Sequence, residues 1–401
     1  MRFIWIVAIR FLYEGKTQSL LILTGVAVGT AVIVFLSSLI TGLQESIIQR
    51  TLGTQAQIVI RPPDEIPRTL NPEADARVER PAQRLRSIVG WAQVIDVVRR
   101  VSGLTAIAPT IAGPGFALRS RGANAISLRG IDPESYTGIV DLSRYITAGT
   151  FRLGAFETVI GTELARDLGV NVGDKIRLQT AGGRTTVLRV SGLIDVGSRD
   201  LNLRWVFVSL RQAQTLLGVE DGVSTIEVRV DDIFSATPIA KQIADRTGLR
   251  ADSWMTSNAQ LMVGLRSQSA SSAMIQVFVV LAVALGIASV LAVSVVQKAR
   301  EIGILRAVGT SKSQILHIFL LQGLLVGLVG SGIGILAGIG LSVFFAELTR
   351  SPDGSALFPL SLSWALYARA IAVATVVGVV SAALPARRAA RLDPAEVIRY
   401  G

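Results

Sequence analysis

Leu20–Ile40 reads LLILTGVAVGTAVIVFLSSLI, an apolar run without a single charged side chain. A hydrocarbon core about 30 Å thick needs roughly 20 such residues in helical form. Each Leu, Ile, Val or Phe in the run favours insertion by about 0.3–0.6 kcal/mol, so together they commit the segment to the bilayer. Three further stretches have the same character. Ile275–Val296 reads IQVFVVLAVALGIASVLAVSVV, a third lies within Ile315–Ala346, and a fourth runs about Trp364–Leu384. The third is longer than a bilayer requires and must tilt or protrude. The expected class is a membrane α-helical bundle of four transmembrane helices, with a large α+β extracytoplasmic domain between helices 1 and 2.

Composition agrees with a chain that is part embedded and part wetted. Of 401 residues 50% are hydrophobic and 17% charged, with a mean hydropathy of +0.52; soluble domains carry about 25% charged residues. The net charge of +11 raises the question of nucleic acid. Many of the cations flank the apolar runs, where Lys and Arg fix topology. Most of the remainder are Arg residues scattered through 42–269, which is not the clustered stripe that tracks phosphates. The chain has no Cys and one His, His317, which removes thiol catalysis, Cys-containing zinc sites and disulfide scaffolds.

Basic residues in the short segments orient the crossings. Arg2, Arg10 and Lys16 precede the first; Lys298, Arg300, Arg306 and Lys312 separate the second and third; Arg387, Arg388, Arg391 and Arg399 follow the fourth. The third-to-fourth link offers Arg350 against Asp353. The positive-inside rule then puts both termini and the 297–313 segment in the cytoplasm, and long segments such as 42–269 translocate regardless of charge. The expected plan is a surface helix over 1–18, crossings at 19–41, 270–296, 314–346 and 362–386, an outer loop at 347–361 and a cytoplasmic tail at 387–401. In MRFIWIVAIRFLYEGKTQ (1–18), Phe3, Val7, Phe11 and Ile4, Ala8, Leu12 share a helical face, as an interfacial helix requires. In the third crossing Gly323, Gly327, Gly330, Gly334 and Gly338 form one stripe. Small residues let helices approach closely in lipid, either inside this bundle or against a second subunit as well. Arg369, inside the fourth apolar run, and Glu347 are the charges near the outer ends of the crossings; Arg369 is read as snorkelling to headgroups, with a substrate-facing role as the alternative.

The intervening domain shows mixed periodicity. Gln57–Ile60 is strand-like and Arg61–Pro81 loop-like. Leu85, Ile88, Ala92, Ile95 and Val98 predict a helix over 82–100, ended by Gly103. Phe116–Arg119 and Ile126–Arg129 flank a turn at Gly122-Ala123-Asn124, and Thr162–Leu168 is a helix stopped by Gly169. Lys175–Gln179 and Thr185–Ile194 flank a hairpin turn. Val206–Ser209, a helix ending at Gly218, the alternating Ile226, Val228 and Val230, and a helix over Pro238–Thr247 complete the set. Asp132, Asp195 and Asp200 are read as capping turns or meeting water. With no base His and no metal-ligand spacing, an enzymatic domain is not expected.

The segment Gln297–Ser313, QKAREIGILRAVGTSKS, alternates apolar Ile302, Ile304, Leu305 and Val308 with basic residues. It predicts a short amphipathic helix at the membrane surface, broken by Gly309. A partner pressing on it would move the second and third crossings directly.

Lys298-Ala299-Arg300-Glu301-Ile302-Gly303-Ile304-Leu305-Arg306-Ala307-Val308-Gly309 resembles the signature of the MacB/FtsX-like ABC transporter permeases. Leu128–Pro133 (LRGIDP) and Pro385–Pro394 (PARRAARLDP) look like other segments of that family, and the likeness extends along nearly the whole chain. The resemblance implies a non-catalytic permease subunit that dimerises, as a homo- or heterodimer. Residues Arg300–Gly309 would couple it to a separate cytoplasmic ABC ATPase. It also implies an ectodomain of the porter-and-sabre type. ATP and Mg would bind that partner: no G-x-x-x-x-G-K-[ST] occurs here, and Gly309-Thr310-Ser311-Lys312-Ser313 lacks the Gly before its Lys. The stand-alone layout is similar to the LolC/LolE lipoprotein-releasing permeases. The implied function is ATP-driven export or extraction of a lipoprotein, peptide, lipid-like or small amphiphilic substrate from outside the membrane or its outer leaflet. The alternative is FtsX-like signalling to a cell-wall hydrolase. A neighbouring adaptor would favour efflux, and a lipoprotein carrier would favour lipoprotein release.

Overall fold

The computed structural model describes residues 2–63, 86–119, 122–349 and 363–392. Most of the expected Arg61–Pro81 loop, most of the 347–361 link and the end of the tail lie outside the described residues, as do Arg350, Asp353 and Arg399. Two compact units are present: Met1–Ile48 with Val263–Gly401, and Gln49–Met262.

Among the described residues four helices are long and apolar enough to cross a membrane: Lys16–Gln49, Ala259–Gln297, Lys312–Leu348 and Trp364–Ala390. The first two outrun their apolar stretches, and polar residues both within and beyond those stretches find partners on the neighbouring helix. The Gln276 side-chain amide donates to Ser37 Oγ (3.0 Å), and that of Gln44 donates to Ser269 Oγ (2.8 Å). A separate helix, Arg2–Glu14, precedes the first crossing. It buries Ala8 and Phe11 against Phe319 and the ends of the other helices. Its opposite side leaves Trp5, Ile6, Ile9 and Tyr13 exposed, the pattern of an interfacial helix.

The second unit is built on strands β1 Ile58–Arg61, β2 Ile88–Val89, β3 Leu104–Arg119, β4 Gly122–Ile131, β5 Ile146–Gly149, β6 Glu157–Gly161, β7 Lys175–Thr180, β8 Thr185–Ile194, β9 Trp205–Ser209, β10 Gly222–Val223, β11 Thr225–Val230 and β12 Arg250–Ser253. Six of them close a ring. β3 pairs β4 antiparallel, β4 pairs β9 parallel, β9 pairs β6 antiparallel and β6 pairs β8 parallel. β8 pairs β7, and β7 returns to β3, both antiparallel. Alternate residues on these strands, among them Ile111, Leu128, Ile160, Ile176, Leu178, Leu188, Val190, Val206 and Val208, share one buried cluster. β3 is long enough to serve twice. β7 pairs Gly115–Leu118, while β11 pairs Leu104–Thr110 and leads on to β1 and β12 as an open wing.

Where wing and ring meet, a charged cluster is sealed in. Glu227 on β11 is 4% exposed and accepts hydrogen bonds from Arg129 Nη2 (3.0 Å), Tyr136 Oη (3.2 Å) and Thr110 Oγ1 (3.2 Å). Arg129 also lies 5.0 Å from the Trp205 ring centroid. Burial and the adjacent Glu227 carboxylate push the Tyr136 hydroxyl well above the usual phenol range. A pair of this kind adds little over an apolar substitute, but breaking it leaves an uncompensated charge.

Several local expectations change. The helix foreseen over 82–100 is only Trp91–Val98. Leu85 lies outside the described residues, and Ile88 pairs with Val223 in a two-stranded ribbon. Gly122-Ala123-Asn124 is not a turn but the start of β4, paired with Arg119, Leu118 and Ala117 across the ladder. The helix expected at Pro238–Thr247 starts at Ala236, behind a short 3-10 turn. Thr162–Leu168 ends at Gly169 with φ 62°. Asp132 accepts from Ser135 N (3.3 Å) as a helix cap, and Asp195 accepts from Gly197 N (2.9 Å) and the Asn202 amide. Asp200 sits in the first turn of Arg199–Arg204.

Candidate coupling site

Between the second and third crossings the chain forms a helix, Ala299–Ala307. Its residues are mostly good helix formers, and Glu301 in the first turn and Arg306 in the last complement the helix dipole. It ends in a Schellman arrangement: Thr310 N donates to Leu305 O (3.0 Å) and Gly309 N to Arg306 O (3.1 Å). These two bonds require the left-handed backbone that Gly309 adopts at φ 104°. The next helix begins at once with a capping box. Ser311 Oγ accepts from Gln314 N (3.2 Å) while Gln314 Oε1 accepts from Ser311 N (2.9 Å). Back-to-back caps make the reversal between the two helices tight.

The apolar residues of this helix do not share one face. Ile302 is fully buried with Gly303, packed into a cluster with Phe11, Val295, Ile315, Phe319, Ala386 and Ala389. Leu305 packs against the same cluster. Arg306 Nη1 donates to the Leu392 carbonyl and toward Ala390 O (3.5 Å), tying the helix end to the end of the fourth crossing. Opposite these, Ile304 is 50% and Val308 84% exposed. They lie four residues apart, one above the other. Arg300, Glu301, Ala307 and Gly309 are exposed as well. The expected amphipathic helix is therefore corrected. One side is welded to the bundle, and the other presents two aliphatic side chains flanked by charge. A period of 3.6 residues puts 302 and 304 on opposite sides, which alternation along the chain hides.

Behind this helix, the five glycines of the third crossing all meet neighbours within the chain. A Cβ at Gly323 would sit 2.4 Å from Gly378 O, and one at Gly327 2.9 Å from Ala374 O, both on the fourth crossing. At Gly330, Gly334 and Gly338 it would fall 2.8 Å from Val26 Cβ, 2.6 Å from Ala27 O and 3.0 Å from Ala31 O, on the first. The third crossing is thus pressed against two others at backbone distance. Arg369 is exposed on the fourth helix. Among the described residues no three His, Cys, Asp or Glu side chains gather to hold a metal ion. Sequence reasoning missed the Ser311/Gln314 capping box, although S-x-x-Q before an apolar run is its signal. It also left Lys298 as one more topological cation.

Two family descriptions match the sequence: MacB-like periplasmic core domain over residues 19–246, and FtsX-like permease C-terminal over 273–394. The lipoprotein-releasing system transmembrane protein LolC of Xylella fastidiosa is 24% identical over 94% of this chain and 92% of its own length. A macrolide export ATP-binding/permease protein MacB of Agrobacterium fabrum is 27% identical over 96% of this chain but only 59% of its own length. Among solved structures, the extracellular domain of the ABC-type transporter YknZ from Gram-positive bacteria covers 49% of this chain at 16% identity, with a TM-score of 0.34. Four candidate membrane helices, a MacB-like periplasmic domain between the first two and the FtsX-like C-terminal segment together decide the assignment. The chain belongs to the FtsX-like ABC transporter permeases that carry a MacB-like periplasmic core domain.

Proposed function

We propose that this permease converts ATP hydrolysis by a separate cytoplasmic ABC ATPase into movement of its periplasmic domain, and so exports or extracts an amphiphilic substrate from the periplasm or the outer leaflet. The supporting observation is the split helix Ala299–Ala307. Ile304 and Val308 stand free to fill a partner's groove, while Ile302 and Arg306 fix the same helix to the bundle. An exposed apolar pair on a rigid stub is a poor surface element and a good docking one. With this helix on the inner face, the positive-inside rule places both termini in the cytoplasm. ATP and Mg then belong to the ATPase, and two permease protomers, identical or not, make the working unit. The amphiphilic substrate class is supported by relatives whose names describe lipoprotein release and macrolide export.

The test is Ile304→Asp in the purified permease reconstituted with its native ATPase. Charge in a desolvated pocket is costly, so ATPase binding and permease-dependent stimulation should both fall. Undiminished binding and stimulation would remove this helix from the coupling path.

A further inference from the structure

A lysine that only sets topology belongs in water or among headgroups, as do Arg300 and Lys312, both exposed. Lys298 does the opposite. It is the residue before the first turn of the coupling helix, and its side chain is 11% exposed and turned toward the N-terminal surface helix. Its Nζ lies 2.9 Å from Glu14 Oε2 and 3.2 Å from Glu301 Oε2, and 4.5 Å from the Phe11 ring centroid. Arg10 Nε holds the other Glu14 oxygen at 2.7 Å, so Arg10, Glu14, Lys298 and Glu301 form a chain of alternating charge. Arg10 and then Lys298, both bonded to it, keep the Glu14 carboxyl below the usual carboxylate range.

Three further contacts tie the surface helix and the crossings around this cluster to one another. The side-chain amides of Gln18 and Gln297 are hydrogen-bonded. Ser19 Oγ donates to Leu12 O (2.7 Å) across the break between surface helix and first crossing. Phe11 meets Phe319 at 6.4 Å. Desolvating a lysine costs several kcal/mol unless partners offset it, and here two carboxylates and a ring do so. The partners come from both helices, so the cluster persists only while the helices stay together.

We infer that Lys298 is a positioning residue that locks the surface helix Arg2–Glu14 to the coupling helix, so that the two move as one body when the ATPase pushes. The surface helix is then an in-plane lever, bearing Trp5, Ile6, Ile9 and Tyr13 against the membrane boundary, and not a passive anchor. This rests on the coupling function proposed above.

The natural chain has no cysteine, so spin labels can be placed without background. With Ile9→Cys and Ala299→Cys labelled in the full permease–ATPase complex, a pair that leaves the docking side chains Ile304 and Val308 untouched, the distance between them should be the same in the nucleotide-free and vanadate-trapped states. Adding Lys298→Met, which keeps the stem and deletes the charge, should broaden that distance distribution. It should also cut ATPase stimulation by about fivefold or more while leaving ATPase affinity within about twofold. A change of more than about 2 Å between the two states in the Lys298 protein overturns the inference. So does an unaltered distribution and stimulation in Lys298→Met. Should Lys298→Met fail to fold, the Lys298 distances alone decide. If Ile304→Asp abolishes ATPase binding and Lys298→Met changes nothing, only the lock falls. If Ile304→Asp also changes nothing, the coupling function falls first.

Discussion

Gly323→Ala and Gly332→Ala form a matched pair on the same helix. Both gain the backbone term that favours Ala over Gly in a helix interior, up to about 1 kcal/mol. They differ only in what the methyl meets. At Gly332 nothing lies within 4 Å, so the change should be neutral or stabilising. At Gly323 the methyl would sit 2.4 Å from Gly378 O and 2.8 Å from Ala382 Cβ, and a Cβ at Gly378 would in turn sit 2.4 Å from Gly323 O. A backbone carbonyl cannot rotate away as a side chain can, so two helices must separate. Overpacking of this kind costs about 1–3 kcal/mol. The shared term cancels, and Gly323→Ala should be less stable than Gly332→Ala by about 1–3 kcal/mol. Thermal unfolding of the two variants in one detergent, followed by monodispersity on size exclusion, measures the difference directly. Equal midpoints would refute backbone-level packing of the third and fourth crossings.

Other outcomes follow from the periplasmic domain and the coupling turn. Arg129→Ala leaves Glu227 charged and sealed in, and should lower the domain's unfolding free energy in urea by about 3–5 kcal/mol; a loss below about 1 kcal/mol would place the pair in solvent. Glu157 receives hydrogen bonds from Arg152 at 2.7 and 3.0 Å, which hold its carboxyl below the usual range. Its folded pKa is depressed, so the stability it contributes is present above the unfolded value of about 4.3 and lost as pH falls through the folded value. As pH falls from the unfolded value toward the folded one, the melting temperature should drop more steeply for the parent chain than for Glu157→Gln. Gly309→Ala forces a Cβ into the left-handed region at a cost of about 1–2 kcal/mol. It should reduce ATPase stimulation more than it reduces global stability, and normal stimulation would show that the tight reversal is dispensable.

Much of the architecture is local and therefore legible in the order of residues alone. Apolar length reveals the four crossings, and Gly169 and Gly218 end their helices because each adopts positive φ there. The ring of six strands is not legible in this way. β7 reads as half of a hairpin with β8, and nothing in its own residues announces that its other edge pairs with β3. The same holds for Ile88, whose helical spacing is overridden by pairing with Val223. At the candidate coupling site the motif locates the helix, but the division of Ile302 from Ile304 and Val308 depends on which side the bundle occupies. The glycine stripe is visible as a period. Its change of partner between Gly327 and Gly330, from the fourth crossing to the first, is a property of packing. Lys298 shows the limit most sharply, because a basic residue beside a membrane has an adequate explanation until its carboxylate partners are seen.

Val308→Cys offers the most direct measurement of the central claim. In inside-out vesicles a membrane-impermeant maleimide should modify this exposed position rapidly, and addition of the native ATPase should protect it. No modification from that side, or an equal rate with the ATPase bound, would contradict a coupling helix that faces the cytoplasm and seats the ATPase.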